Sequence, residues 1–133
     1  IAHMMFSVPG VKGVLFGAGM DFAKMRGSEA NDAFRIENGN VYTKTNNNGG
    51  VNGGITNGNP VCFTTVIKPT PSIYKKQNTV DFKKCENASL QIQGRHDPAI
   101  VHRARVVVDS VVALAVCDIL ALRYGTDYLK GNS

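Results

Sequence analysis

No two cysteines in this sequence stand at CxxC spacing, and only three are present, Cys62, Cys85 and Cys117. An odd count without that spacing excludes a disulfide framework and a zinc site. Reduced thiols point to the cytoplasm, and the apolar neighbours of Cys62 and Cys117 place both in the core. No secretory signal is visible either, since Ile1 to Phe6 has neither a basic stretch nor a long apolar one. The most apolar stretch, Val106–Leu122, is interrupted by Asp109, Ser110 and Asp118. Two carboxylates are costly in lipid, so no membrane span is expected. Charge is scarce at 19 % of residues, against about a quarter in an average domain, which suggests surface covered in a larger assembly. There is no HExxH, no Ser or Cys nucleophile context, no paired-carboxylate arrangement, no Walker A loop and no internal repeat. No metal site is expected.

What remains is a chain of 133 residues, the size of one domain with no internal boundary, or of a piece of a larger one. Apolar residues make up 43 %, enough for a core. The net charge of +5 favours anionic partners. The basic residues are dispersed, with Lys75–Lys76 and Lys83–Lys84 the only adjacent pairs. A nucleic-acid module concentrates its charge and interleaves aromatics, so nucleic acid is not the expected partner.

Ile1–Ser7 reads as the tail of a helix whose beginning is missing. Val11–Phe16 reads as a strand, closed by Gly17-Ala18-Gly19. Ala23–Asn40 is polar and mixed, with Ala33–Ile36 too short to classify. Thr45–Asn59 is rich in asparagine and glycine, and Asn57-Gly58 carries a type I′ turn signal. Pro60–Ile67 alternates in strand fashion, so this part reads as a glycine-rich loop leading into a hairpin. The prolines of Lys68-Pro69-Thr70-Pro71-Ser72 force the chain out of the sheet. Ser89–Gln93 reads as a short, half-buried strand. Asp97-Pro98 opens one long helix, with Asp97 as cap, Pro98 in the first position and Gly125 as stop. From Val111 to Leu122 that helix is apolar nearly all round, which calls for cover on more than one side.

Three segments can carry chemistry. In Gly94-Arg95-His96-Asp97-Pro98 a guanidinium can grip phosphate or carboxylate, and an imidazole beside a carboxylate can move protons, all before a helix start. The plainer alternative is an N-cap flanked by exposed loop residues. In Asn48–Gly58 the glycines let backbone amides approach a ligand, or simply build a turn. Lys68 with the hydroxyls after it can hold a phosphate or a ring carbonyl, or be an edge lysine before a stiff turn.

Taken in order, Val8-Pro9-Gly10-Val11-Lys12-Gly13-Val14 with Phe16-Gly17, then Asn48-Gly49-Gly50 through Gly53-Gly54-Ile55-Thr56-Asn57-Gly58, then Lys68-Pro69-Thr70, then Gly94-Arg95-His96-Asp97-Pro98 resemble the chorismate synthase family. The resemblance spans nearly the whole chain and corresponds to about the last third of a family member. It implies an α+β fold, part of a β-α-β sandwich in which antiparallel sheets pack around long apolar helices, assembled as a homotetramer. It implies a lyase of the shikimate pathway, in the biosynthesis of aromatic amino acids, that converts 5-enolpyruvylshikimate 3-phosphate to chorismate by 1,4-elimination of phosphate with reduced FMN. Pro9, Gly10, Gly53, Lys68, Pro69, Thr70, Pro71, Ser72 and Arg95 match family positions that line the FMN site. Arg95 also matches a substrate contact, and Asp97, supported by His96, a carboxylate that helps the flavin accept the proton. The resemblance thus implies that glycine-rich backbone, lysine turn and guanidinium converge around the flavin. Asn47 stands where many members have histidine, Pro71 where they have serine, and Gly10 where alanine is usual. Other site residues of the family lie in its N-terminal part, so this chain is expected to be inactive alone. The alternative is a non-catalytic structural or assembly domain.

Overall fold

The computed structural model describes residues 1–95 and 99–127. A short helix α1 (Ala2–Met5) turns through Ser7–Gly10 into strand β1 (Val11–Phe16), at the residues its apolar run predicts. A 3₁₀ turn (Gly19–Lys24) and helix α2 (Gly27–Ala30) follow. Next come the hairpin of β2 (Phe34–Glu37) and β3 (Asn40–Thr43), a minimal one of β4 (Val51–Asn52) and β5 (Ile55–Thr56), strand β6 (Phe63–Ile67), and the hairpin of β7 (Gln77–Asp81) and β8 (Glu86–Leu90). Helix α3 runs from Val101 to Tyr124. The fold is α+β: small antiparallel sheets, each of two strands, and one long helix.

Among the described residues, only β1 and β6 pair at long range. Val11 lies opposite Ile67 at one end of the ladder and Phe16 opposite Phe63 at the other, with a register shift between Val11 and Gly13. The rings of Phe16 and Phe63 stack in tilted fashion, 5.5 Å apart, a favourable cross-strand pair. On β6, Phe63, Thr65 and Ile67 are partly covered and Thr64 and Val66 exposed, the alternation its sequence predicts. The buried apolar core comprises Met5, Val8, Val11, Ala104 and Ala115, where α1 meets α3 and β1.

The structure corrects several expectations. The type I′ turn falls at Gly53-Gly54, not Asn57-Gly58: the former have φ of 55° and 83°, the two positive values that turn requires. Asn57 instead accepts a bond from the amide of Asn59 through its side-chain oxygen (3.0 Å). The hairpin therefore lies inside the glycine-rich segment, and β6 pairs back to β1. Strand β8 lies earlier than Ser89–Gln93, and Leu90 is exposed rather than half-buried. Its partner β7, too polar to show alternation, is not legible in the sequence. Cys62 and Cys117 are exposed, not core, because apolar neighbours in sequence do not by themselves cover a side chain.

Helix α3 ends at Gly125, as expected, with φ of 81°. It begins at Val101, with Ile100 in the cap position and no side-chain cap. The expected cap, Asp97, and Pro98 lie outside the described residues. One side of α3 faces β6. Away from β6 and α1, large apolar side chains of α3 are bare, with Val106, Leu114 and Leu122 at 65 %, 61 % and 81 % exposure. The cover that its composition calls for does not come from the described residues.

Candidate functional site

Gly10 and the lysine turn meet at one end of the β1–β6 ladder. The backbone amide of Lys68 donates to the carbonyl of Gly10 (2.7 Å), extending the ladder by one bond. Gly10 has φ of 87°, and exposed Pro9 precedes it. Beyond Lys68, Pro69 and Pro71 stay exposed and Thr70 and Ser72 are partly covered. The carbonyl of Pro71 accepts a weak bond from the side-chain amide of Gln77 (3.4 Å), which ties the turn to β7.

Lys68, Pro69 and Thr70 line a cavity of about 260 Å³ with Thr65, Ile67 and the start of α3 at Ala99–Val101. Two side-chain oxygens here, Thr65 Oγ1 and Thr70 Oγ1, are out of solvent contact and have no hydrogen-bond partner among the described residues. Such groups are rare in folded proteins and call for an explanation. The cavity adjoins a larger cleft of about 580 Å³ between β6 and α3, walled by Phe63, Ile67, Val108 and Val112 and bordered by the Arg105–Asp109 ion pair.

Arg95 is exposed, at the end of the segment leading to α3. Next to it, the carbonyl of Gly94 accepts a hydrogen bond from the hydroxyl of Tyr74. Gln91 Nε2 donates to the carbonyl of Tyr74 (2.9 Å). These bonds fasten the approach to Arg95 onto the chain that leaves the lysine turn. His96 and Asp97 lie outside the described residues.

Gly53 is placed elsewhere. It forms the tip of the β4–β5 hairpin, with open space around it. That hairpin follows the opposite end of the ladder and lines a separate cavity of about 440 Å³, where Val51, Gly54 and Thr56 face Phe16 and Ile119. The β6 ladder alone separates its two ends by roughly 13 Å. Val101 and Ile119 stand about 27 Å apart along the helix axis. Within the described residues, Gly10 and Lys68–Thr70 come together, and the glycine hairpin does not join them.

The glycine-rich segment is anchored by a residue that the sequence reading passes over. Asp32 is buried, and its carboxylate accepts four hydrogen bonds: from the Thr45 hydroxyl (2.7 Å), the Asn47 amide (2.7 Å), and the backbone and side-chain amides of Asn48 (2.9 and 3.0 Å). Burial pushes its pKa up. The bonds from Asn48, Thr45 and Asn47 outweigh that push and hold the carboxyl below its ordinary value. Asn47, also singled out above, turns its side-chain amide onto the carbonyls of Glu29 and Ala30 (3.2 and 3.3 Å).

The anchored loop presses on the end of β1. The Gly17 amide donates to Cys62 (3.0 Å), Ala18 to Asn47 (2.7 Å), and Cys62 to Gly49 (3.1 Å). A Cβ on Gly17 would stand 1.8 Å from the Asn47 carbonyl oxygen, and one on Gly49 2.4 Å from that of Cys62. These glycines are needed for the close approach of three backbones. Acidic Asp32 among polar neighbours gives no sign of this, because its partners lie 13 to 16 residues away.

The family model for chorismate synthase matches residues 1–121. This chain belongs to the chorismate synthase family. It is 50 % identical over 118 residues to a chorismate synthase of Korarchaeum cryptofilum, covering 89 % of this chain and 33 % of that protein. It is 50 % identical over 123 residues to one of Thermococcus gammatolerans, covering 92 % and 35 %. A crystal structure of chorismate synthase superimposes with a TM-score of 0.50 at 38 % identity, over 53 % of this chain and 21 % of that one. The chain thus spans about a third of the length of the curated relatives it matches. The family is one of lyases in aromatic amino acid biosynthesis. Among the described residues, no helix is long and apolar enough to cross a membrane, and no cluster of His, Cys, Asp or Glu can hold a metal ion.

Proposed function

We propose that this chain is the C-terminal part of a chorismate synthase that eliminates phosphate from 5-enolpyruvylshikimate 3-phosphate with reduced FMN, and that it furnishes part of the flavin site. The observation that carries the reading is the junction of Gly10 with Lys68–Thr70. There Lys68, Thr65 and Thr70 line one cavity with the start of α3. Those groups fit a ligand that is anionic at one end and rich in hydrogen-bonding heteroatoms. Reduced FMN would supply transient electron donation and a proton-accepting nitrogen.

The roles of this chain's residues follow from their chemistry. Lys68 offsets negative charge, and Thr70 donates its hydroxyl. Pro9, Pro69, Pro71 and Ser72 shape the rim around them. Arg95 grips an anion through its planar fork. Asp97, with His96 beside it, takes up and passes on the proton at its carboxylate. Gly53, on the far hairpin, stands apart from this cavity. Loss of phosphate needs preplaced donors more than a nucleophile, in keeping with the absence of nucleophile motifs. We further propose one undivided domain, a homotetramer when intact, and a cytoplasmic setting, for which the three free thiols speak.

The decisive experiment uses the intact protein, extended to the family's full length, with reduced FMN and 5-enolpyruvylshikimate 3-phosphate without oxygen. Chorismate formation is expected, and its absence would sink the reading. Arg95→Ala weakens binding of FMN or of substrate by roughly 1.5–3 kcal/mol, the size of a charged hydrogen bond, as read by titration. A second reading, a structural or assembly piece, is favoured by the bare apolar side of α3. It stands if the intact protein binds flavin and Arg95→Ala leaves both affinities unchanged.

A further inference from the structure

Among the described residues, the strands of the β2–β3 hairpin pair only with each other, with Phe34 opposite Thr43 and Ile36 opposite Val41. Side chains alternate between the faces of a strand, and directly opposed residues share a face. Phe34, Ile36 and Val41 therefore lie on one face, and Arg35, Glu37 and Tyr42 on the other. The apolar face is bare: Phe34 and Ile36 are each 75 % exposed, and Val41 66 %. On the polar face, Arg35 Nη1 and Glu37 Oε1 stand 3.3 Å apart. A two-stranded hairpin is marginal by itself, and three or more strands with an apolar face form the stable unit.

The pairing also decides which backbone groups of β2 face outward. The Lys44 amide donates to the Ala33 carbonyl (2.8 Å), and antiparallel pairs alternate between bonded and non-bonded. Along the register, Arg35–Tyr42 is then a bonded pair, and Phe34–Thr43 and Ile36–Val41 are not. The amides and carbonyls of Phe34 and Ile36 thus point away from β3, toward an edge that no strand covers among the described residues. Such an edge is a template for another strand.

We infer that the outer edge of β2 pairs antiparallel with the same edge of a second copy of this chain, about a two-fold axis at Ile36. A two-fold contact must be self-complementary, and β2 is. With the axis at Ile36, its amide and carbonyl bond those of Ile36 in the second copy. Arg35 then lies directly opposite Glu37 of the second copy, and Glu37 opposite Arg35 of the second copy. Together with the pair inside each chain, this closes a ring of four alternating charges. Moving the axis by one residue, to Arg35, keeps the edge groups matched but sets arginine against arginine. Like charges directly opposite are destabilising. The charges therefore select both partner and register, because a strand that complements β2 in reverse must offer base and acid in the order β2 offers them. Strand β3 carries no charge, so its edge has no such preference. The joined sheet has the order β3-β2-β2-β3 and one continuous apolar face. This inference does not depend on the flavin reading, and its failure would leave that reading standing.

The test measures the mass of the intact protein, extended to the family's full length, by light scattering. Arg35 and Glu37 are about half exposed, with side chains at 50 % and 53 %, and an exposed ion pair adds little to stability. Reversing either charge therefore leaves the fold in place, as melting curves check. Arg35→Glu alone and Glu37→Arg alone are each expected to fall to half the wild-type mass, because the ring then holds charges of one sign. An equimolar mixture of the two variants returns to the wild-type mass, since an acidic edge then meets a basic one. The double exchange, Arg35→Glu with Glu37→Arg, returns to it as well. The inference is overturned if wild type is monomeric, or if the single variants keep the wild-type mass, as they would were this edge covered by another segment of the same chain. It is overturned equally if the single variants lose mass and neither the mixture nor the double exchange regains it. Should a single reversal fail to fold, the double exchange decides alone, and it must assemble as wild type does.

Discussion

Replacing Gly17 by alanine destabilises the intact protein by roughly 2–5 kcal/mol, the sum of a left-handed backbone on a residue with a side chain and forced overpacking. The added methyl would lie 1.8 Å from the carbonyl oxygen of Asn47, so one of the two backbones must move. That carbonyl holds the Ala18 amide at 2.7 Å, and the movement breaks this bond. Gly53→Ala is the control. Gly53 has a similar φ of 55° with nothing nearby, so it bears only the conformational part, about 1–2 kcal/mol. Chemical denaturation reads both. Equal effects would mean that the close approach at Gly17 has no energetic weight.

Asp32→Ala has an effect of comparable size, roughly 2–4 kcal/mol, because it strands buried donors that together face one carboxylate. The pH dependence separates charge from shape. The folded pKa of Asp32 lies below its ordinary value, so its contribution is present above about pH 4, the unfolded value. It is lost as the pH falls through the lower, folded value. Asp32→Asn keeps the shape, removes the charge and must turn an amide toward incoming donors. It should be less stable than wild type at neutral pH and show a shallower loss on acidification. Parallel acid profiles for wild type and Asp32→Asn would refute the electrostatic account.

What the sequence made legible was local. Val11–Phe16 is an apolar run bounded by glycines, Phe63–Ile67 alternates, and Gly125 is the residue a helix end favours. The lysine turn and Arg95 stood out because lysine beside paired prolines and a guanidinium before a helix are conspicuous in one dimension. The β2–β3 hairpin was not found, since Phe34, Ile36 and Val41 are all exposed and no buried face imposed a pattern. Asp32 could not be found in that way, because it acts through partners brought in from far along the chain. The cysteines misled for a related reason: apolar neighbours in sequence say nothing about which faces find cover.

The hairpins β2–β3, β4–β5 and β7–β8 join neighbouring segments, whereas β1 and β6 are joined across the whole stretch between Phe16 and Phe63. Closing so long an excursion is entropically slow. The knot of Asp32, Asn47 and Gly17 ties down its middle, dividing one wide loop into two shorter ones. A chain whose knot is loosened should therefore refold late as well as weakly, with the two strands last to find each other.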